Sequence, residues 1–219
     1  MTLALYAHPL SSYCHKALVA LYENDIPFDY RLLDGSEPVA GDFAALWPMK
    51  RFPLLTDGGK IVPEATVIIE YLGVHYPGPV TLIPDDPDAA IEVRMMDRFF
   101  DNYVMNSQSR VVFDFIRPEG NHDLYGVAEA KAMLDNAYAW LDGWMEGREW
   151  AAGGAFSMAD CAAAPALLYA DWTHSIPEKY ANVWAYRTRL LARPSYARAL
   201  DEARPYRHYF PLGAPTDRD

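Results

Sequence analysis

Cysteine is scarce in this 219-residue chain: there are two, Cys14 and Cys161, far apart in sequence. Neither the count nor the spacing matches a zinc site or a disulfide-stapled secreted scaffold, and two thiols in a chain of this size fit a reducing compartment. Long apolar runs are also missing, since nothing approaches the roughly 18 residues that a membrane-spanning helix needs. The opening MTLALYAHPL has no basic segment ahead of an apolar one, which predicts no secretory leader and a cytoplasmic protein. Positive charge is in deficit, with 19 Lys and Arg against 30 Asp and Glu, a formal net charge of −11. That balance repels polyanions at long range, and the one short basic stretch, residues 204–208, is broken by Pro205 and Tyr206. Nucleic acid and membrane surfaces are therefore not expected partners. None of the six histidines pairs at metal-ligand spacing, so no metal is expected.

What remains is a chain with 51% apolar residues, enough for a real core, and a length suited to one large or two modest domains. Residues 3–7 read as a short apolar strand. Pro9 and Ser11-Ser12 break it, and Cys14, Ala17, Leu18 and Leu21 then follow the i, i+3, i+4, i+7 spacing of a buried helical face. Asn24-Asp25 stops that helix, and residues 28–32 alternate apolar and polar as a half-buried strand does. A short helix is expected around residues 43–47. Strands at 53–56 and 60–62 are joined through Asp57-Gly58-Gly59 as a hairpin, and a helix over 64–75 stops at Tyr76-Pro77-Gly78. The order is β-α-β-α-β-β-α. Pro77, Pro79, Pro84 and Pro87 make the next segment an extended linker. Beyond it only helices are predicted, over 88–116, 124–146, 158–174 and 179–192, with a short one after Pro194. One sheet has no way to absorb so many further helices, so the expected division is an α/β domain at 1–77, a linker at 78–87 and an all-α domain at 88–219.

Three segments carry candidate chemistry. Ser11-Ser12-Tyr13-Cys14 stands at the first strand–helix turn, where unpaired N–H groups and the helix dipole favour an anion. A serine there is also an ordinary N-cap. Arg51-Phe52-Pro53 enters the third strand; the proline suits a strand boundary, and a cis bond there would aim the Phe52 backbone at a ligand. Pro63-Glu64-Ala65-Thr66 opens the next helix. Glu64 suits the helix dipole, and the same carboxylate next to free N–H groups would also receive both charges of an amino-acid moiety.

Taken together, the thioredoxin-like order, the Ser-x-x-Cys helix start, the strand-entry proline, the Pro-Glu helix start and the Leu82-Ile83-Pro84-x-Asp86-Pro87 linker resemble the soluble glutathione transferases. Phe156-Ser157-Met158-Ala159-Asp160 is similar to that family's buried N-capping box, a folding device, and Pro165 inside the same helix also fits. The resemblance is to serine-type members of the theta and zeta kind. It implies glutathione as co-substrate, with Ser11 as the catalytic residue holding the thiol. It further implies that the backbone of Phe52, just before Pro53, pairs with the cysteinyl part, Glu64 and Ala65 meet the γ-glutamyl part, Arg51 lies near the glycyl carboxylate, and Ser12 and Pro53 belong to the site. A small hydrophobic electrophile and a homodimer are implied as partners. Glutathione-dependent isomerisation or dehalogenation, or non-catalytic binding, are the alternatives. Two departures stand out: Ala65 replaces a usual serine or threonine, removing one hydroxyl from the γ-glutamyl site, and Trp47 replaces a frequent asparagine.

Other residues have competing readings. Cys14 falls on the buried helical face and reads as structural, since without a cysteine at position 11 no dithiol exists. Met95, Met96, Phe99, Phe100, Tyr103 and Met105 could line an apolar substrate pocket or be core and interface. His8 and His15 flank the serine turn and read as solvated.

Overall fold

The computed structural model describes residues 3–218; Met1, Thr2 and Asp219, at the outer ends of the two expected domain ranges, lie outside the described residues. β1, Leu3–Ala7, is buried along its whole length because it has partners on both edges in a sheet of order β2-β1-β3-β4. β2, Asp29–Leu32, runs parallel to it with Leu5 opposite Tyr30, and β3, Leu54–Asp57, runs antiparallel with Leu5 opposite Leu55. A parallel neighbour requires a crossover, which α1, Ser12–Glu23, supplies. β3 turns into β4, Lys60–Pro63, through Gly58 and Gly59, whose φ angles of 55° and 94° are those a two-residue hairpin demands of glycine. α3, Ala65–His75, follows.

α2 spans Val39–Leu46, starting earlier than the expected 43. Its first turn carries no apolar period; the Gly41 N–H there donates to Glu37 at 3.0 Å, a local bond that periodicity cannot show. At its end Trp47 packs on a small cluster of Tyr6, Phe43 and Leu54, so the large side chain found there serves packing.

After the proline-rich segment every element is helical: α4 Pro87–Phe99, α5 Asn106–Phe115, α6 Leu124–Trp144, α7 Met158–Thr173, α8 Ala181–Leu191 and α9 Pro194–Ala203, with a closing 3-10 turn at Arg204–Tyr209. α4 and α5 are one continuous helix, as expected, except that Phe100–Met105 widens into a π-helical stretch. Such a stretch changes which residues face inward. Asp101 is buried there while Asn102 and Tyr103 are exposed.

α7 is buried from end to end and runs through Pro165. Its many alanines bring neighbouring helices close, and it packs on α1, on α4 and on the π-helical stretch. Its start is fixed by Asp160, whose carboxylate accepts from the Ser157 N–H at 2.8 Å, the Ser157 hydroxyl at 3.0 Å, the Ala151 N–H at 2.9 Å and the Tyr186 hydroxyl at 2.5 Å. Phe156 meets the Trp150 ring edge-on and lies beneath the Arg193 guanidinium. The linker is pinned from both sides. The Met158 N–H donates to the Leu82 carbonyl at 2.8 Å, and the Asn24 amide exchanges two hydrogen bonds with the Val80 backbone.

Candidate functional site

The β1–α1 turn, the entry to β3 and the start of α3 converge on one cleft of about 840 Å³ between the sheet and the helical region. Ser11, Ser12, Arg51, Phe52, Pro53, Glu64 and Ala65 all line it. Residues 54 positions apart in sequence are thus neighbours in space because β1 and β3 are adjacent strands and α3 follows their hairpin.

Ser11 is the N-cap of α1, with extended backbone (φ −87°, ψ 124°). Its Oγ accepts from the Cys14 N–H at 3.4 Å, a long bond. A hydroxyl that accepts can still donate, so the cap and the ligand roles are compatible in one side chain. The N–H groups of Ser12 and Tyr13 in the same turn have no backbone acceptor among the described residues. Cys14, by contrast, is fully buried, and burial pushes its thiol up to about 12 despite the Ser11 bond. Both cysteines are free and buried. Tyr13 is half-buried in the cleft wall, and burial together with Asp101 raises its phenol, so it stays protonated.

At the second helix start, Glu64 holds φ 70°, a left-handed conformation that costs a non-glycine residue on the order of 1–3 kcal/mol. Its side chain does not cap α3 and makes no hydrogen bond or ion pair with the described residues. An exposed carboxylate therefore stands beside the first N–H groups of α3, which have no backbone acceptor among the described residues. Ala65 presents its backbone and no hydroxyl. The Phe52-Pro53 bond is cis, Phe52 is exposed and Pro53 is buried. Lys50 and Arg51 put two exposed cations at the same end of the cleft.

Behind the α3 start lies a buried charge cluster that has no counterpart in the sequence reading. Lys16, 1% exposed, points from α1 to Asp97 at 2.6 Å and Asp101 at 2.8 Å and donates to the Thr66 hydroxyl at 2.8 Å. Arg98 closes the ring, reaching Asp97 at 2.5 Å and Asp101 at 2.6 Å and contacting Thr66. Burial raises the Asp101 carboxyl above the usual range, with Lys16 opposing. The cluster is neutral in sum, joins α1, α3 and α4, and presents Arg98 and Asp101 to the cleft.

Of the two histidines, His8 lines the cleft and is half-buried. Its Nδ1 accepts from the Leu10 N–H at 3.1 Å, and burial lowers its pKa, with Asp34 opposing. His15 is not solvated: it is fully buried with Nε2 at 2.5 Å from the Pro9 carbonyl, and burial pulls it down to about 4. Met95, Met96, Phe99, Phe100, Tyr103 and Met105 do not line the cleft. Met96, Phe99, Phe100 and Met105 are core, and Met95 and Tyr103 are exposed. The opposite wall is made instead of Asn102, Asn106, Gln108, Ser109, Val112 and Phe113, with Tyr169 from α7 and Tyr209, Phe210 and Pro211 from the C-terminal segment.

A serine-capped helix start on a mixed sheet, facing a helical wall across a cleft, is the arrangement of a thioredoxin-like domain followed by a helical one. The family models of the glutathione S-transferase N-terminal and C-terminal domains match residues 5–80 and 104–194. Glutathione S-transferase hmp2 of Hypomyces subiculosus is 27% identical over 214 residues, covering 93% of this chain and all of that one. Glutathione S-transferase Z2 of Arabidopsis thaliana is 30% identical over 142 residues, 64% of this chain and 57% of that one. A solved glutathione S-transferase from Methylobacillus flagellatus with glutathione bound superposes with a TM-score of 0.82 at 26% identity, covering 90% of this chain and 98% of the other. The chain belongs to the soluble glutathione transferase family.

Among the described residues no helix is long and apolar enough to cross a membrane.

Proposed function

We propose that this glutathione transferase activates the thiol of glutathione at Ser11 for attack on a small electrophile held against the helical wall. The observation that carries it is the convergence of Ser11 with two helix starts whose first N–H groups have no backbone acceptor among the described residues, beside a Glu64 that makes no hydrogen bond or ion pair with them. These groups fit a γ-glutamyl-cysteinyl ligand: Glu64 faces its ammonium, the α3 N–H groups its carboxylate, the Phe52 backbone its peptide, and Arg51 its far carboxylate. Glutathione, when bound, supplies the sulfur nucleophile. The Ser11 hydroxyl then donates a hydrogen bond to sulfur while the first turn of α1 adds its dipole. A charge-assisted bond contributes about 1.5–3 kcal/mol and the helix end about 0.3–1. At about 1.36 kcal/mol per pKa unit the pair lowers a free thiol near 8.5 by roughly one to three units, enough to ionise much of it at neutral pH. Catalysis is then positioning and electrostatic stabilisation.

The same reading places the division at 1–77, 78–87 and 88–219, and a homodimer through α3 and α4. Val67 and Val74 on α3 and Ile91 and Met95 on α4 are exposed apolar side chains on neighbouring helices tied by the Arg94–Glu70 ion pair. Ala65 favours a second reading, a binding protein without turnover, because the γ-glutamyl carboxylate has one donor fewer. Calorimetric titration with glutathione tests both, followed by conjugation assays on the wild type and Ser11→Ala. Binding with turnover that falls in Ser11→Ala supports the enzyme. Binding without turnover supports the second reading, and no binding at millimolar glutathione overturns both.

A further inference from the structure

The turn that carries Ser11 is closed by a side chain as well as by backbone. The Ser11 N–H donates to the His8 carbonyl at 3.0 Å, which makes residues 8–11 a β-turn with Pro9 and Leu10 at its centre. Such a turn leaves the N–H of its third residue without a backbone acceptor. Here the Leu10 N–H donates to His8 Nδ1 at 3.1 Å, the bond that asparagine or aspartate makes in an Asx-turn. Pro9 has no N–H, so His8 accepts from both backbone donors that follow it in the turn. Ser11 comes next as the cap of α1, and its carbonyl accepts from the His15 N–H at 2.9 Å. Because Nδ1 is the acceptor, neutral His8 carries its proton on Nε2. A proton added at Nδ1 would set a second donor against the Leu10 N–H, and the bond would break. The imidazole is half-buried at the cleft, with its ring edge-on to Tyr206 at 5.4 Å.

Resting on the proposed glutathione site, we infer that His8 is a positioning residue for it: the neutral imidazole fixes the turn that presents Ser11 to the thiol, and a protonated one releases that turn. His8 acts through Leu10 and Ser11, since a small displacement of the capping serine is enough to weaken a bond to sulfur. Ligand binding and protonation of His8 therefore oppose each other. Affinity is complete above pH 6.5, the ordinary histidine value, and is lost as pH falls through the His8 pKa, which burial sets lower with Asp34 opposing. The titratable groups that face His8 are Asp34 after β2, Tyr206 on the closing 3-10 turn and His15 on α1. A variant that changes His8 alone keeps all three, so their own titration cancels in the comparison.

The test uses S-methylglutathione, whose sulfur has no proton to lose, so that ionisation of the thiol does not enter. It is titrated by calorimetry into wild type, His8→Phe and His8→Asn at about pH 7.5 and at about one unit below the His8 pKa that NMR of the free protein gives. Phenylalanine keeps a ring against Tyr206 and removes the acceptor. Asparagine restores the acceptor of an Asx-turn and does not titrate. Wild type is expected to bind about three- to fivefold more weakly at the lower pH, and His8→Phe about fivefold more weakly than neutral wild type at both, the worth of one net hydrogen bond. His8→Asn should recover neutral wild-type affinity to within about twofold and hold it at the lower pH. In wild type the His8 pKa read by NMR should also be lower in the complex than in the free protein, as reciprocity requires. Wild-type affinity that does not fall with pH, an equal fall in His8→Asn, or undiminished binding by His8→Phe overturns the inference and leaves the glutathione reading standing. A wild type that binds no S-methylglutathione at either pH overturns both.

Discussion

Two helices in this protein begin with a serine cap, and the two starts do opposite things. Ser11 opens α1 at the wall of a cleft, is half-buried, makes one long bond to the Cys14 N–H, and has Cys14 where a capping box would have an acid. Ser157 opens α7 in the core, is 3% exposed, and is held by a carboxylate three residues on that also binds Ala151 and Tyr186. The local chemistry is the same: a hydroxyl next to first-turn N–H groups. At Ser157 those donors are consumed inside the protein and the result is stability. At Ser11 the N–H groups of Ser12 and Tyr13 have no backbone acceptor among the described residues and stand at the cavity wall, which is where the proposed function puts an anion.

The largest effect that separates the two starts is expected at Asp160. Asp160→Ala leaves two buried N–H groups and the Tyr186 hydroxyl without their acceptor. At about 1–3 kcal/mol each the loss is at least about 3 kcal/mol, a melting temperature lower by roughly 6–12 °C. Turnover per folded molecule should be unchanged, and a loss of turnover at temperatures where the variant is folded would break the distinction.

The α1 start carries a pH response through His15, one turn beyond Ser11. In the fold His15 is neutral with a pKa of about 4, against an ordinary 6.5. Between these values the unfolded chain binds the proton and the fold does not, so the His15 contribution is complete above pH 6.5 and is lost as pH falls towards 4. The full loss is about 3 kcal/mol. Denaturant titrations at several pH values should show the wild type losing stability through that window more steeply than His15→Phe.

Next come the serines themselves. Ser11→Ala and Ser157→Ala each remove a cap worth about 1 kcal/mol, so melting temperatures should drop by a similar 2–4 °C or so. Only Ser11→Ala should lower kcat/KM for glutathione conjugation, by about 10–150-fold, the rate equivalent of about 1.5–3 kcal/mol. The smallest effect is expected at Ser12→Ala, less than about twofold in the same assay, because Ser11 and not Ser12 is the cap whose hydroxyl sits over the open turn. A larger loss in Ser12→Ala than in Ser11→Ala would move the thiol one residue along.

The parts of this molecule that were legible in sequence are those whose signals are local. Cys14, Ala17, Leu18 and Leu21 mark the buried face of α1 by spacing alone, and Gly58-Gly59 marks the hairpin by its need for positive φ. Ser11, Pro53 and Glu64 were readable as element boundaries, and only their order made them a site. The Lys16 cluster was not readable. Its partners Asp97 and Asp101 lie more than 80 residues away, and two acids four apart on a helix read as a solvated face until the fold brings Lys16 to them. Tyr169 was hidden for a different reason: α7 is buried on all sides, so it has no amphipathic period to single out one residue. The methionine and aromatic set Met95, Met96, Phe99, Phe100, Tyr103 and Met105 was readable as pocket lining or as core and interface, and spacing alone did not decide between them; four of the six are core. The π-helical stretch at Phe100–Met105 changes which residues face inward, and Asn102 and Asn106 line the cleft where those six residues do not.

The central claim is that the Ser11 hydroxyl, at an open helix start, lowers the pKa of a bound thiol. Ultraviolet absorbance of the thiolate, followed through a pH titration of the glutathione complex in wild type, Ser11→Ala and Ser157→Ala, measures this directly. The account predicts a bound thiol roughly one to three units below its free value near 8.5 in wild type and Ser157→Ala, and most of that shift gone in Ser11→Ala. The same depressed pKa in all three proteins would contradict it.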